Sequence, residues 1–83
     1  MTPVRVTLYG KPGCHLCEDA RAVLDAVRAE RPFELEEVDV TLDPRLHARY
    51  GERIPIVAIG GEEAFELYVD PGALRERLDK VVA

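Results

Sequence analysis

Two cysteines, in Cys14-His15-Leu16-Cys17, are the chain's only thiols. At that spacing both sulfurs reach the same helical turn and can join to each other. The pair can therefore deliver two electrons to a partner's disulfide or take them from a partner's dithiol. A purely structural bridge is the weaker reading, because closing so short a loop restricts the unfolded chain by only about 2 kcal/mol, against about 5 for a hundred-residue loop. Two thiolates are also half of a tetrahedral zinc site. The other half is missing: His15 lies between the cysteines and points away from the side they share, while His47 stands alone further along. A metal would need a second chain or an external thiol.

The flanking residues predict the elements that position the pair. Val4-Arg5-Val6-Thr7-Leu8-Tyr9 alternates as a strand, buried on both sides if Thr7 and Tyr9 face a helix, and runs into the tight turn Gly10-Lys11-Pro12-Gly13. Cys17, Ala20, Leu24 and Val27 then recur at steps of three and four, one face of a helix from about Cys14 to Glu30 that Pro32 stops. The thiols thus sit where a strand gives way to a helix. Unbonded N–H groups and a partial positive charge at the helix start favour a thiolate there.

Phe33 to Asp39 reads as a second strand, with Phe33 and Leu35 in phase and Val38 and Val40 out of phase, a slip that predicts a bulge or a strand end. Asp43-Pro44 is a cap followed by a first-turn proline, opening a helix that carries Leu46 and Tyr50 and ends at Gly51. A third strand, Ile56 to Ile59, joins a fourth near Ala64 to Tyr68 through the two-glycine turn Gly60-Gly61. Asp70-Pro71 repeats the cap signal, and Leu74, Leu78 and Val81 form the apolar stripe of a last helix. The order is β-α-β-α-β-β-α. A right-handed parallel unit followed by an antiparallel hairpin gives an α/β fold with a mixed four-stranded sheet and flanking helices, the thioredoxin-like layout. In that layout the first cysteine lies at the exposed edge of the turn and the second one turn deeper, so Cys14 is the expected nucleophile and Cys17 the resolving thiol.

Eighty-three residues, 47% of them hydrophobic, fit a single domain spanning 1–83. The net charge of −5, with no run of Lys or Arg, argues against a nucleic-acid surface or an anionic membrane partner. No charged-then-apolar leader opens the chain and no apolar stretch approaches the roughly twenty residues that cross a bilayer. The expectation is a cytoplasmic monomer, a setting in which lasting structural disulfides are unusual.

At this level of detail the chain resembles the glutaredoxin-like branch of the thioredoxin superfamily over nearly its whole length. The resemblance rests on Lys11-Pro12-Gly13-Cys14-His15-Leu16-Cys17 after the first strand, on Arg53-Ile54-Pro55-Ile56 before the third, and on the hairpin turn at Gly60-Gly61. It implies a cis Pro55 facing the cysteines, with the Ile54 carbonyl and N–H turned outward to pair with a substrate backbone. It also implies that Lys11 matches a lysine that contacts glutathione. Two departures stand out. His15-Leu16 replaces the family's usual Pro-Tyr, and Tyr68-Val69-Asp70 replaces the Gly-Gly and short polar pair that hold the glutamyl end of glutathione, leaving Asp70 as a partial substitute.

Several side chains could adjust the site. A protonated His15 beside Cys14, or Lys11 three residues upstream, would stabilise the Cys14 thiolate. Tyr9 and Tyr68 could line the same groove, and Arg45, Arg49 and Arg53 could form a small basic surface near the proline loop, or a solvated face balancing an acidic chain. The expected function is thiol-disulfide exchange on protein or glutathione mixed disulfides. It requires no bound cofactor, with glutathione as a candidate co-substrate and glutathione or a thioredoxin-reductase-type enzyme as the electron donor. Two alternatives come from other classes: a carrier of an iron–sulfur cluster or metal bridged between two subunits, and a redox-switched binding module without turnover.

Overall fold

The computed structural model describes residues 4–82. Strand β1 spans Arg5–Gly10, helix α1 His15–Glu30, strand β2 Glu34–Asp39, helix α2 Pro44–Tyr50, strand β3 Ile56–Ile59, strand β4 Glu62–Glu66 and helix α3 Pro71–Val82, with a 3-10 turn at Val40–Leu42 between β2 and α2. The sheet order is β2-β1-β3-β4. β1 and β2 run parallel, from Arg5 opposite Glu34 to Gly10 opposite Asp39. β3 is antiparallel to both β1 and β4. This is the mixed four-stranded α/β sheet and element order expected of the thioredoxin-like layout.

β1 is central, and its burial on both sides follows. Val6 and Leu8 enter one core with Leu24 and Val27 of α1 and Leu74 and Leu78 of α3. From the other side Thr7 is also buried, and Tyr9 packs with Val40, Tyr50 and Ile56 in a second, smaller cluster. That second cluster includes both cysteines and Ile54, so the site is attached to the packed interior. The ends of α1 and α3 are tied by two surface ion pairs at 2.8 Å, Arg31 with Asp79 and Arg75 with Glu30. The Arg75 guanidinium holds the Glu30 carboxyl below the usual carboxylate range.

Several details refine the sequence reading. Cys14 is the cap of α1 and not its first helical residue. The phase slip near Val38 is a strand end, because β2 keeps its register with β1 through Asp39 before the chain tightens into the 3-10 turn. The irregularity that does exist is a register shift between Val57 and Ala58, against β4. β4 begins at Glu62, since a two-residue turn at Gly60-Gly61, with φ of 59° and 89°, places Ile59 directly opposite Glu62. Val81, expected in the apolar stripe of α3, is 51% exposed, because α1 covers α3 only around Leu74 and Leu78.

The outer strands are acidic. β2 carries Glu34, Glu36, Glu37 and Asp39, and β4 carries Glu62, Glu63 and Glu66, with no Lys or Arg on either. The fold's stability rests on the larger core. Leu24 has no solvent exposure, and Leu24→Ala is expected to lower unfolding free energy by about 2–5 kcal/mol, seen as a reduced urea midpoint with an unchanged slope. A change under about 1 kcal/mol would show that this core does not hold the fold together.

Candidate active site

The turn after β1 delivers the first cysteine to a helix start. Gly13 has φ of 74°, a left-handed conformation that side chains rarely adopt, and the next residue, Cys14, returns to extended backbone at φ −100° and ψ 111°. In that geometry Cys14 caps α1. Its sulfur accepts the backbone N–H of Cys17 at 3.2 Å and its carbonyl accepts the N–H of Glu18 at 3.1 Å. A sulfur in this place occupies a position usually held by Ser or Asp oxygen, facing the unbonded amides and positive end of the helix dipole.

The two thiols differ sharply in setting. Cys14 is half-buried, whereas Cys17 is 7% exposed, one turn deeper and packed with Ile54 and Ile56. Burial, followed by its hydrogen bond with Cys14, pushes the Cys17 thiol up to about 11. The backbone N–H and ammonium charge of Lys11 oppose that rise. The structure thus brings Lys11 to bear on Cys17, where the sequence reading had directed it at Cys14.

Gly10, the last residue of β1, was missed from the sequence as a site residue. A Cβ there would lie 2.9 Å from the Cys17 sulfur and 3.3 Å from its Cβ, so the strand end must be bare for the second thiol to fit. The sequence reading placed Gly10 in the turn, whereas it is the last residue of β1, and its bareness serves the Cys17 sulfur. Beside it opens a cleft of about 430 Å³ lined by Gly10, Lys11, Cys17, Glu18, Arg21 and Glu37 among others, with Arg21 and Glu37 paired at 2.7 Å.

On the other side stands the proline loop. The Ile54-Pro55 peptide is cis, both residues are buried, and Ile54 shares a cluster with Cys14 and Cys17. The Pro55 carbonyl accepts the N–H of Leu67 at 2.8 Å, whereas the Ile54 backbone makes no hydrogen bond among the described residues. Tyr9 stacks on Tyr50 with ring centroids 4.7 Å apart, and burial, followed by the neighbouring Tyr50, raises its phenol. Arg49 and Arg53 lie 5.2 and 5.6 Å from the Tyr50 ring centre, and Arg53 also pairs with Glu63 and Glu66, so its charge is largely answered within the fold. Arg45 pairs with Asp43.

The remaining candidates are exposed or engaged elsewhere. The His15 side chain is 96% exposed and faces Glu18 at 3.7 Å. Asp70 is engaged as the cap of α3, its carboxylate accepting the Ala73 N–H at 2.8 Å. Tyr68 is 69% exposed. Just before it, Leu67 has φ of 66° and the Tyr68 N–H donates to the Glu66 carbonyl at 2.7 Å, a γ-turn around a leucine. No sequence signal marks that turn. Among the described residues no helix is long and apolar enough to cross a membrane, and no three His, Cys, Asp or Glu side chains gather as a metal set.

Comparison with known proteins extends this picture. A family model described as a glutaredoxin-like domain (DUF836) matches residues 5–79. Uncharacterized proteins of Mycobacterium bovis and Mycobacterium tuberculosis are each 31% identical over 80 residues, covering 90% of this chain and 82% of theirs. Among solved structures, a Nitrosomonas europaea protein superposes with a TM-score of 0.82 at 28% identity, covering 94% of both chains. An X. campestris protein gives 0.77 at 29% identity, covering 90% of this chain and 96% of that one. A mutant thioredoxin from Halobacterium salinarum, at 20% identity, shares the fold with a TM-score of 0.70 over 95% of this chain and 74% of its own.

Two outcomes follow from the geometry. In Cys14→Ser, alkylation of Cys17 should keep accelerating with pH well above the free-thiol value of about 8.5, because burial withholds the thiolate. A rate that levels off near 8.5 would show that Cys17 is not buried as described. In Gly10→Val the side chain must displace the Cys17 sulfur, so closure of the Cys14–Cys17 disulfide should slow by at least about tenfold while the fold's circular dichroism is kept. An unchanged closure rate would refute the contact.

Proposed function

We propose, on the premise that this chain belongs to the glutaredoxin-like domain family, that it is a thiol-disulfide oxidoreductase in which Cys14 attacks and Cys17 resolves. The observation that carries the reading is the unequal setting of the two sulfurs: one caps a helix at the surface, the other is buried one turn below it. The Cys14 sulfur, as thiolate, attacks one sulfur of a substrate disulfide, forming a mixed disulfide and releasing the other substrate sulfur as a thiolate that takes up a proton. Cys17 then loses its proton and attacks the Cys14 sulfur, which breaks the mixed disulfide, releases the second substrate thiol and closes Cys14–Cys17. The substrate gains two electrons and the pair loses two.

The sequence of events suits the surroundings. The Cys14 sulfur accepts the Cys17 N–H at the start of the helix, where the attacking sulfur is held in place. The Cys17 thiol, pushed up to about 11, stays protonated at neutral pH and does not compete for the first attack. Once Cys14 is engaged in a mixed disulfide, the Lys11 charge and backbone N–H favour Cys17 as thiolate. The open backbone of Ile54 is proposed to pair with the substrate strand carrying the target sulfur. Glutathione or a reductase enzyme would return electrons to the oxidised pair, in the cytoplasm.

A protein-disulfide reduction assay with dithiothreitol as donor tests this. Cys14→Ser should lose activity to background, and Cys17→Ser should accumulate a mixed disulfide through Cys14, visible by mass spectrometry. If Cys14→Ser retains wild-type turnover, the assignment fails.

A further inference from the structure

Three large apolar side chains stand exposed close to the site: Leu16 at 49%, Leu67 at 46% and Tyr68 at 69%. They are neighbours. Leu16, Asp19, Ala20 and Val23, one face of α1, meet Leu67 and Tyr68 of the β4–α3 connection around a small notch of about 60 Å³. That volume is roughly two waters, enough for the tip of one aliphatic side chain.

Folding alone does not account for this arrangement. Leu67 holds a left-handed φ of 66° that glycine or asparagine would adopt at less cost, and its side chain is nevertheless turned outward. Its backbone is fixed to the site, since its N–H donates to the Pro55 carbonyl at 2.8 Å. Leu16 lies between the two cysteines. The notch therefore adjoins the nucleophile's turn through Leu16 and the proline loop through Leu67.

Charge decides the occupant. Asp19 is the one charged residue lining the notch and no Lys or Arg lines it; of the exposed charged residues beside lining residues in the sequence, Glu18 and Asp70 are acids, while Arg21 is paired with Asp25 and Glu37, and Glu66 with Arg53. The whole chain is at −5. A small peptide thiol bearing two carboxylates and no apolar side chain matches this surface poorly. An apolar side chain next to a cation matches it in both respects.

We propose that the Leu16–Leu67–Tyr68 notch is the docking surface for the substrate of Cys14, and that this substrate is a disulfide-bearing protein segment presenting an aliphatic side chain beside Lys or Arg. The proposal rests on the exchange chemistry above and deepens it by naming the substrate class.

The test uses the full chain and short cysteine peptides carrying a chromogenic thiol as mixed disulfide, with Leu-Arg, Leu-Glu, Ser-Arg or Ser-Glu beside the cysteine. Each rate is expressed relative to the same variant's rate with hydroxyethyl disulfide, which has no side chain to dock. Wild type should prefer Leu over Ser by about tenfold and Arg over Glu by about threefold, the second preference fading at 1 M salt. Leu67→Gly, which retains the turn, should erase the Leu preference, and Asp19→Lys should reverse the charge preference. Equal wild-type rates on all four peptides, or faster reduction of a glutathione mixed disulfide than of the Leu-Arg peptide, would overturn the docking proposal while leaving the exchange chemistry standing. No reaction of wild type with hydroxyethyl disulfide would overturn the exchange chemistry and the docking proposal with it.

Discussion

The hydrogen bond from the Cys17 N–H to the Cys14 sulfur is the contact on which the rest of the site turns. It makes a thiol do the work of a helix cap, so the residue that ends the turn and the residue that starts the helix are chemically coupled. The same bond ties the Cys14 sulfur to the helix turn that carries Cys17, since Cys17 is set by the helix and Cys14 by the cap. Helix, turn and strand are each arranged to keep it: Gly13 supplies the left-handed step into Cys14, and Gly10 leaves room for Cys17 behind it.

The second constraint is the placement of the proline loop over this cap. β3 lies next to β1 in the sheet, so the residues entering β3 arrive beside the residues leaving β1. Ile54 is drawn into the cluster of Cys17, Tyr50 and Ile56, and the tyrosine pair Tyr9–Tyr50 fills the space below. Tyr50 is buried and Tyr9 half-buried, and the two arginines over the Tyr50 ring add cation–π contacts to the stacked pair beneath the loop. The site is consequently tied to the sheet and core through β1, α1 and the residues entering β3, while Leu67–Tyr68 belong to the β4–α3 connection.

What could be read from the sequence was what local chemistry dictates. The cysteine pair, the cap-and-proline signals at Asp43-Pro44 and Asp70-Pro71, the two-glycine turn and the helix face from Cys17 to Val27 each depend on residues a few positions apart, and each was legible. The features that were not legible depend on residues far apart in the chain. Gly10 matters because of a sulfur seven positions on in another element, and Leu67 is held by a carbonyl twelve positions earlier. β4 was placed too late because Glu62 and Glu63 look like loop residues, yet an edge strand tolerates them on its solvent side. Val81 continued a helical stripe that no neighbour was present to cover.

The acidic character of β2 and β4 has a consequence for how copies of this chain meet. Each flank of the sheet presents carboxylates along a row of unsatisfied backbone groups, and neither flank has a lysine or arginine of its own. Arg5, Arg21 and Arg53 answer Glu34, Glu37, Glu63 and Glu66 from neighbouring segments, but the flanks keep an excess of carboxylates at Glu36, Asp39 and Glu62, so two such borders brought together would repel, which works against sheet-to-sheet growth.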